Sequence, residues 1–453
     1  MDELRAWSDD ELRELIEREA TDELESALDD LGPTGVSRLL AELDEDERQH
    51  LWALLPPEEA ADHLEAIPWA QASDAFQELP PDVAAKILDE FRSDDQADFI
   101  SELDDDEREA VLREMDSEDA TEVRKLALYE DDVAGGLMET EFLAYDRNLT
   151  VAELVADMRG RAEELVHYDV QYTYVTENGG VLVGVLRLRD LVVTPSQRRL
   201  ESIMIDAPLK TLDTTSLEDL EHLFDSVSFL AIPVVDASGR IVGVVRRHDV
   251  EQAAGERSEG DYLKSQGIVG GEELRSMPTF RRARRRLSWL TVNIGLNVLA
   301  ASVIAAHQDT ISAVIALAVF LPILSDMSGC TGNQAVAVSM RELALGLARP
   351  SDAFRVWRQE LSVGAINGLV LGGLLCGAAY IWKGNVWLGL VVGLAMLLNT
   401  LIAVSIGGVV PLVLKKLKFD PALASGPILT TVTDMCGFFL MLTLAGAVLG
   451  RLG

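Results

Sequence analysis

The sequence predicts a multidomain membrane protein in which an α-helical solenoid, two α/β modules and a linking helix precede an all-α membrane domain of five helices. Three observations lead to this prediction. An apolar residue recurs every twelve positions in residues 1–130, a strand-turn-strand pattern occurs twice in residues 138–252, and long apolar segments fill residues 288–450. A large soluble part is thus joined to a part that crosses a bilayer.

Charge divides the chain of 453 residues in the same way. Residues 280–453 hold 7 acidic and 14 basic side chains, which leaves 69 of the 76 acids and 25 of the 39 bases to residues 1–279. All three cysteines lie in apolar segments, so no disulfide framework is indicated. The first residues have neither the basic nor the apolar stretch of a signal peptide, and we expect the acidic part to be cytoplasmic.

The solenoid is predicted from apolar anchors with a period of twelve. The anchors are Leu31, Leu43, Leu55, Ile67, Leu79, Phe91, Leu103 and Met115. Proline or aspartate follows most of them, which ends one short helix and begins the next. Helices of roughly two turns would stack into a platform for interactions, and no catalytic constellation is found in it.

The carboxylates of this region have two interpretations. Runs such as Asp94-Asp95 and Asp104–Asp106 could bind divalent cations, or they could form a solvated face adapted to high salt. The solvated face is favoured for most of these acids. Their spacing does not match an EF-hand loop.

The α/β modules are predicted from a sequence pattern that occurs at residues 173–186 and again at 232–245. Each copy reads as strand, Gly-containing turn and strand, and each follows a helical stretch, at 150–161 and 216–226. An aspartate, Asp190 in the first copy and Asp249 in the second, stands near the start of the helix after each copy.

This tandem resembles a pair of CBS domains. The resemblance implies that the pair binds an adenine nucleotide, with Asp190 or Asp249 near the ribose, Arg189 near the phosphates and Phe229 as a further candidate contact. The alternative for both aspartates is helix capping, in which the carboxylate accepts backbone N–H bonds.

The coupling segment at 250–287 ends in five arginines among the six residues 281–286. Such a run beside an apolar span marks the cytoplasmic side and binds lipid headgroups. We predict spans at about 288–306, 311–340, 360–382, 386–414 and 426–450, each long enough for a hydrocarbon core of about 30 Å. Basic residues cluster on one side of these spans, so the carboxyl terminus is expected outside.

Small residues predict close helix packing in the membrane domain. Glycines are spaced by four at Gly364, Gly368 and Gly372, at Gly373 and Gly377, and at Gly389 and Gly393.

Two spans carry polar residues that would form the walls of a pore. The second span contains Pro322, Gly329, Gly332, Asn333 and Gln334, and the last contains Pro427, Thr430, Thr431 and Asp434. Proline and glycine are expected to loosen these helices and free carbonyl groups toward a water-filled path.

Asp434 is the candidate ion-binding residue. A carboxylate facing lipid costs roughly 3 kcal/mol or more, so it should face protein, water or a cation. Hydroxyl, amide, carbonyl and carboxylate oxygens suit hard cations, and two such acids across a two-fold axis could hold a hydrated Mg²⁺. The alternatives are a bond to a neighbouring helix or a proton relay. Asp326 is either a second pore acid or a residue near the outer mouth.

Four motifs, in this order, characterise the chain: Asp132–Met138, Gly329–Gln334, Asp420–Ser425 and Thr431–Asp434. With these motifs the whole chain resembles the MgtE family of magnesium channels. The resemblance implies a homodimer in the cell membrane in which Asp434 recognises hydrated Mg²⁺, assisted by the backbone carbonyl of Thr430. The chain departs from the family at Cys330, His248 and Gly260.

The resemblance also implies that cytosolic Mg²⁺ bound among carboxylates closes the gate and that ATP strengthens closure. The candidate regulatory ligands are Glu256, Glu259, Asp261, Asp420 and Asp95. The implied domains are a helical N domain (1–135), two CBS domains (136–195 and 196–252), a linking helix (253–287) and a channel domain (288–453).

Two other functions are compatible with the sequence: a membrane-anchored CBS nucleotide sensor, and a gradient-driven divalent-cation transporter. An enzyme is not expected, because no nucleophile–base pair and no phosphate-cradling loop is found. Nucleic acid is not an expected partner.

Overall fold

The structure, a computed structural model, describes residues 7–162, 165, 171–271, 273–275 and 277–452. The chain divides into two compact units. The first holds residues 1–257 and 274–276, and the second holds residues 258–273 and 277–453.

The first unit begins with a run of short helices. These are α1 (Asp9–Glu17), α2 (Thr21–Glu42), α3 (Glu45–Leu54), α4 (Pro57–Ala66), α5 (Trp69–Gln77), α6 (Pro81–Leu88), α7 (Ser93–Glu102), α8 (Asp105–Glu114) and α9 (Ser117–Leu126). From α3 to α9 each helix begins twelve residues after the previous one, so the predicted repeat is confirmed.

Local chemistry sets these helix starts. Asp44 caps α3 and forms a capping box with Glu47, while Pro57 and Pro81 occupy the first position of α4 and α6. Helix α2 is kinked at Gly32, whose φ of 62° suits glycine.

Each repeat helix packs most closely on the next helix but one: α4 on α6, α5 on α7, α6 on α8 and α7 on α9. The anchor residues and Trp52 fill the continuous core between them.

The two α/β modules follow. The first contains β1 (Leu143–Asp146), α10 (Val151–Gly160), β2 (Tyr172–Glu177), β3 (Val181–Arg187), α11 (Leu188–Val193) and β4 (Ile205–Asp206). The second contains β5 (Thr211–Leu212), α12 (Leu217–Ser226), β6 (Ala231–Val235) and β7 (Ile241–Arg246). In both, a parallel strand pair, β1–β2 or β5–β6, is extended by an antiparallel hairpin, as the repeated sequence pattern predicts.

The hairpin turns of the modules join each other. The N–H of Leu182 donates to the carbonyl of Gly239 and the N–H of Ile241 donates to the carbonyl of Gly180, both at 3.0 Å. The second module also shares a core with the solenoid, where Ala97 of α7 packs with residues of α12 and β6.

One helix, α13 (Arg247–Ser265), leaves the last strand directly. It begins earlier and ends earlier than the linking helix predicted at 253–287. It ends because Gly267, Gly270 and Gly271 adopt positive φ angles, which a continuing α-helix does not contain.

The second unit contains α14 (Thr279–Ala306), α15 (Gln308–Ala313), α16 (Leu317–Ala344), α17 (Ala353–Lys383), α18 (Val386–Lys416) and α19 (Pro421–Ala447). Helix α18 packs against α16, α17 and α19. Pro278 sets the start of α14, so the arginines at 281–286 lie within this helix and not in a loop before it.

Within the described residues, four helices are long and apolar enough to cross a membrane: α14, α17 with its preceding turn, α18 and α19. Helix α16, the second predicted span, has 28 residues but is not among these four, because a polar segment from Ser325 to Gln334 interrupts its apolar sequence. It begins at Leu317, six residues after the predicted start.

The predicted loosening at the prolines is wrong. Pro322 and Pro427 lie inside helices that continue without interruption on both sides.

The predicted close packing of helices at the spaced glycines is correct in part. A Cβ on Gly372 would lie 2.6 Å from the carbonyl oxygen of Gly393, and one on Gly389 would lie 2.7 Å from that of Cys376, so α17 and α18 touch through their backbones. Gly373 and Gly377 face open space instead.

Candidate ion path and regulatory sites

Asp434 lies on α19 and is held by a hydroxyl group of α16. Its side chain is 7% exposed, and Oδ1 accepts a hydrogen bond from Ser325 Oγ at 2.5 Å. Oδ2 makes no protein hydrogen bond among the described residues, and it is not fully buried. The carboxylate therefore has one oxygen fixed by the fold and one oxygen available to a cation or water.

A second polar contact lies beside the first. Asn399 of α18 is fully buried, and its Nδ2 donates to Ser328 Oγ at 2.7 Å, while its Oδ1 is buried without a hydrogen-bond partner. A Cβ on Gly437 would lie 2.5 Å from Asn399 Nδ2. Serines of α16 thus bond to α18 and α19, and Gly437 makes room for the amide. Asn399 was missed in the sequence, although it interrupts a long apolar run.

The threonines of α19 bond to their own helix. Thr430 and Thr431 donate to the carbonyls of Gly426 and Pro427, and Thr433 Oγ1 donates to the carbonyl of Thr430 at 3.0 Å. The Thr430 carbonyl proposed to assist the ion therefore already accepts a hydroxyl group. Thr430 itself is exposed.

The remaining predicted pore-lining residues fall on two faces of α16. Pro322, Asn333 and Gln334 are exposed, whereas Gly329 and Gly332 are buried. A Cβ on Gly332 would lie 2.7 Å from Leu429, so this glycine serves the packing of α16 on α19.

Two of the predicted regulatory carboxylates meet at one lysine. Lys264 Nζ lies 3.9 Å from Asp261 and 3.6 Å from Asp420. Asp420 also accepts the N–H of Ala422 at 2.8 Å and so caps α19, with Pro421 at the first helical position. Lys264 is an ammonium group between two acids, which nothing in the local sequence indicated.

The other two candidates on α13 are exposed. Glu256 accepts a hydrogen bond from Gln252 Nε2 at 3.0 Å, and Glu259 lies on the surface of the helix.

A cluster of acids surrounds Arg92 in the first unit. Arg92 bonds to Glu139 at 2.9 Å and to Asp95 at 3.1 Å, and it lies 4.0 Å from Asp94 and 3.8 Å from Asp249. We call these five residues together with Arg246 the Arg92 cluster. Arg246 pairs with Glu139 and, at 3.0 Å, with Asp249. Four carboxylates thus share two guanidinium groups.

Three of these acids have the spacing of metal ligands. Carboxylate oxygens of Asp94, Glu139 and Asp249 lie within 4.8 Å of one another, and Asp94 Oδ1 is buried without a hydrogen-bond partner. An all-carboxylate group suits a hard divalent cation. Asp29, Glu59 and His63 have the same spacing, but the imidazole suits Mg²⁺ less well.

Burial raises the pKa of the acids in and near the Arg92 cluster. Burial and then the charge of Asp95 raise the pKa of Asp94 to about 7, although Arg92 opposes this. Burial and then the charge of Asp94 raise the pKa of Glu139 to about 8. The pKa of Asp95 rises to about 6, again through burial. Added positive charge here would favour the ionised forms.

The pair of modules contains a cavity of about 340 Å³. Its lining combines aromatic rings, Phe142, Tyr172 and Tyr174, with the basic side chains of Arg246 and Arg247. Aromatic faces suit a base and guanidinium groups suit phosphates.

The predicted nucleotide contacts are spread around this region. Asp249 lies in the Arg92 cluster, and Phe229 is 44% exposed next to the lining residue Leu230. Asp190 pairs with Arg189 at 3.6 Å on α11 and is not among the residues that line the cavity. Neither aspartate occupies a cap position: the N-cap of α11 is Arg187, and Asp249 bonds to Arg246.

Three family models match the chain. They are the MgtE intracellular N domain over residues 31–132, the CBS domain over residues 200–256, and the MgtE divalent cation transporter over residues 321–444.

Two relatives and one solved structure are similar to the chain. Magnesium transporter MgtE of Enterococcus faecalis is 32% identical over 327 residues, 72% of this chain and 71% of the relative. Magnesium transporter MgtE of Thermus thermophilus is 34% identical over 326 residues, 72% of each chain. The crystal structure of the cytosolic domain of the Mg²⁺ channel MgtE in complex with ATP covers 54% of this chain and all of its own, with 31% identity and a TM-score of 0.49. Because these relatives are 32% and 34% identical over 72% of the chain, the chain belongs to the MgtE family.

Proposed function

We propose that the protein carries Mg²⁺ across the cell membrane as a homodimeric channel, with Asp434 as the carboxylate that recognises the ion. The observation that carries this proposal is the geometry of Asp434, which has one oxygen bonded to Ser325 and one without a protein hydrogen bond in the part of the chain that the structure describes. The family's magnesium transporters support the choice of ion.

Hydration explains how so few ligands could be selective. Mg²⁺ releases its water shell reluctantly, so a path for it has to bind the hydrated ion through its waters. One carboxylate per subunit, doubled by two-fold symmetry, offers two acceptors to that shell. The carbonyl of Thr430, one turn earlier on α19, would add a further acceptor.

We propose further that cytosolic Mg²⁺ closes the channel by binding the acidic soluble part. Asp261 and Asp420, now bridged by Lys264, would exchange the ammonium group for the ion. Asp94, Glu139 and Asp249 would hold a second ion, since two guanidinium groups leave two of the four cluster carboxylates uncompensated when all are ionised. Exposed Glu256 and Glu259 are further candidates. An ion that binds one state better shifts the population toward it.

The cavity between the modules would bind an adenine nucleotide such as ATP. Its aromatic and arginine lining supports this assignment. Because Arg246 faces both the cavity and the Arg92 cluster, the phosphates of the nucleotide and the carboxylates of the cluster would compete for one guanidinium group or share it.

The expected orientation places the soluble domains in the cytoplasm and the carboxyl terminus outside. The arginines of α14 and the basic residues after α16 and α18 support this arrangement. No catalytic role is proposed for the protein.

Flux into proteoliposomes tests the proposal. Full-length protein should carry Mg²⁺ down its gradient, and Asp434→Asn, which keeps the shape and removes the charge, should reduce flux to the level of empty liposomes. Mg²⁺ on the side of the soluble domains should inhibit flux through the wild-type protein.

The rival functions give different results. A membrane-anchored sensor would bind nucleotide without any flux that depends on Asp434. A secondary transporter would respond to an imposed proton or sodium gradient, whereas the channel would respond to voltage and the Mg²⁺ gradient alone. Flux that is indifferent to Mg²⁺ on the soluble side would contradict the gating proposal.

A further inference from the structure

Asp326 is a second carboxylate within the apolar part of the second unit. It lies on α16, its side chain is exposed, and it makes no hydrogen bond or ion pair with any residue that the structure describes. A carboxylate left in contact with lipid would be strongly unfavourable. In the membrane Asp326 must therefore meet water, a cation or another protein surface.

The depth of Asp326 follows from its neighbour. Ser325 bonds to Asp434 at 2.5 Å, so this part of α16 lies level with the middle of α19. At 1.5 Å per residue, Asp326 lies about 14 Å along α16 from its first residue. In a hydrocarbon core of about 30 Å this is near the midplane, which argues against a position at the outer mouth.

The exposed polar side chains of α16 form one stripe. Asp326, Cys330, Asn333 and Gln334 are all exposed and follow each other at helical spacing. The opposite face, with Leu324, Ser328 and Gly332, is buried. The stripe begins at the level of Asp434 and continues toward the cytoplasmic end that the predicted orientation gives to α16.

We infer that Asp326 lines the ion path beside Asp434 and gives each subunit a second carboxylate for the hydrated cation. This inference rests on the proposed function and extends it. A second acid at the same depth strengthens attraction for a divalent ion more than for a monovalent one, because the Coulomb energy scales with the ion's charge. Asp326 would thus set the affinity and the preference for divalent cations.

Proteoliposome flux at graded Mg²⁺ concentrations tests this role. Asp326→Asn should raise the half-saturating Mg²⁺ concentration by roughly tenfold and lower the Mg²⁺-to-Na⁺ selectivity, because one charge facing a water-separated divalent ion is lost. Asp326→Glu should restore most of both. The matched control is Asp309→Asn, which removes an exposed acid of α15 outside the stripe.

The outcomes separate the two proposals. If Asp434→Asn abolishes flux while Asp326→Asn leaves half-saturation and selectivity at wild-type values, the role of Asp326 is refuted and the channel stands. If the wild-type protein carries no Mg²⁺, the proposed function fails, and this inference fails with it.

Cys330 gives a second measurement that does not depend on flux. In the Cys376→Ser, Cys436→Ser variant, a charged thiol reagent should modify Cys330, and Mg²⁺ should slow that modification. An unreactive Cys330 would mean that lipid or protein covers the stripe, which would overturn the inference.

Discussion

At the scale of single residues, the acids of this protein differ in the groups that stabilise their carboxylates. Asp434 accepts a hydrogen bond from one hydroxyl group, while the four acids of the Arg92 cluster share two guanidinium groups. Burial raises the pKa of Asp98 of α7 to about 8, and the charges of Asp131 and then Asp95 raise it in the same direction. Asp98 is therefore protonated near neutral pH, where an exposed aspartate is not.

This shift predicts a pH-dependent stability. Between the unfolded pKa near 4 and the folded value of about 8, the folded state holds a proton that the unfolded state releases, so stability falls as pH rises through this range. At pH 8, Asp98→Asn should increase the free energy of unfolding of the first unit by at least about 1 kcal/mol and so raise its thermal midpoint. At pH 5 the gain should be much smaller.

Thermal unfolding of the full-length protein in detergent at the two pH values measures this difference. The control is Asp106→Asn, which changes an exposed acid of α8, the next helix of the same solenoid. Equal effects of Asp98→Asn at both pH values would contradict the assignment of a raised pKa.

At the scale of elements, backbone contacts set the packing of the membrane helices. A Cβ on Gly407 of α18 would lie 2.3 Å from the carbonyl oxygen of Gly332 on α16, and a backbone atom cannot swing aside as a side chain can. There is therefore no room for a side chain at this position between α16 and α18.

We expect Gly407→Ala to force α16 and α18 apart and to destabilise the second unit by about 1–3 kcal/mol. The readout is the thermal midpoint of the detergent-solubilised protein, followed by tryptophan fluorescence. Gly377→Ala is the matched control, since a Cβ there meets nothing within 4 Å. Equal midpoints for the two variants would show that the helices separate at no cost.

Elements were predictable where their limits depend on nearby residues. Proline or aspartate precedes every helix from α3 to α9 except α7, so the repeat and most of its helix starts follow from local chemistry. The Arg92 cluster could not be predicted, because Arg92 and Glu139 are 47 positions apart and Arg246 is further still. The bonds of Ser325 to Asp434 and of Ser328 to Asn399 likewise depend on how three helices pack.

The limits of the prediction in the membrane domain have a physical cause. Proline was expected to open α16 and α19, but a helix loses only one hydrogen bond at such a residue, and both helices continue through their prolines. Local sequence indicates the lost hydrogen bond but not whether the helix continues.

At the scale of the whole molecule, residues 1–279 have a net charge of −44, and the repulsion among their acids can be reduced in two ways. Screening by any salt would relieve the general repulsion, whereas bound Mg²⁺ would act at particular carboxylates. The two explanations for the acidic surface, adaptation to salt and divalent binding, therefore make different predictions.

We expect MgCl₂ to raise the thermal midpoint of the full-length protein more than NaCl at equal ionic strength, because an ion bound only by the folded state adds stability that grows with its concentration. Substituting Asp94 and Asp249 together by asparagine should remove part of that excess. Equal effects of both salts would favour screening alone.

Helix α13 has a consequence beyond the residues that it carries. Its first turns supply Arg247, His248 and Glu251 to the cavity lining, and its last turn supplies Lys264 to Asp261 and Asp420. A continuous helix is rigid, so a movement of its first turns is transmitted to its last turn. A nucleotide bound in the cavity and a cation that displaces Lys264 should then change each other's affinity by the same factor, as thermodynamic reciprocity requires.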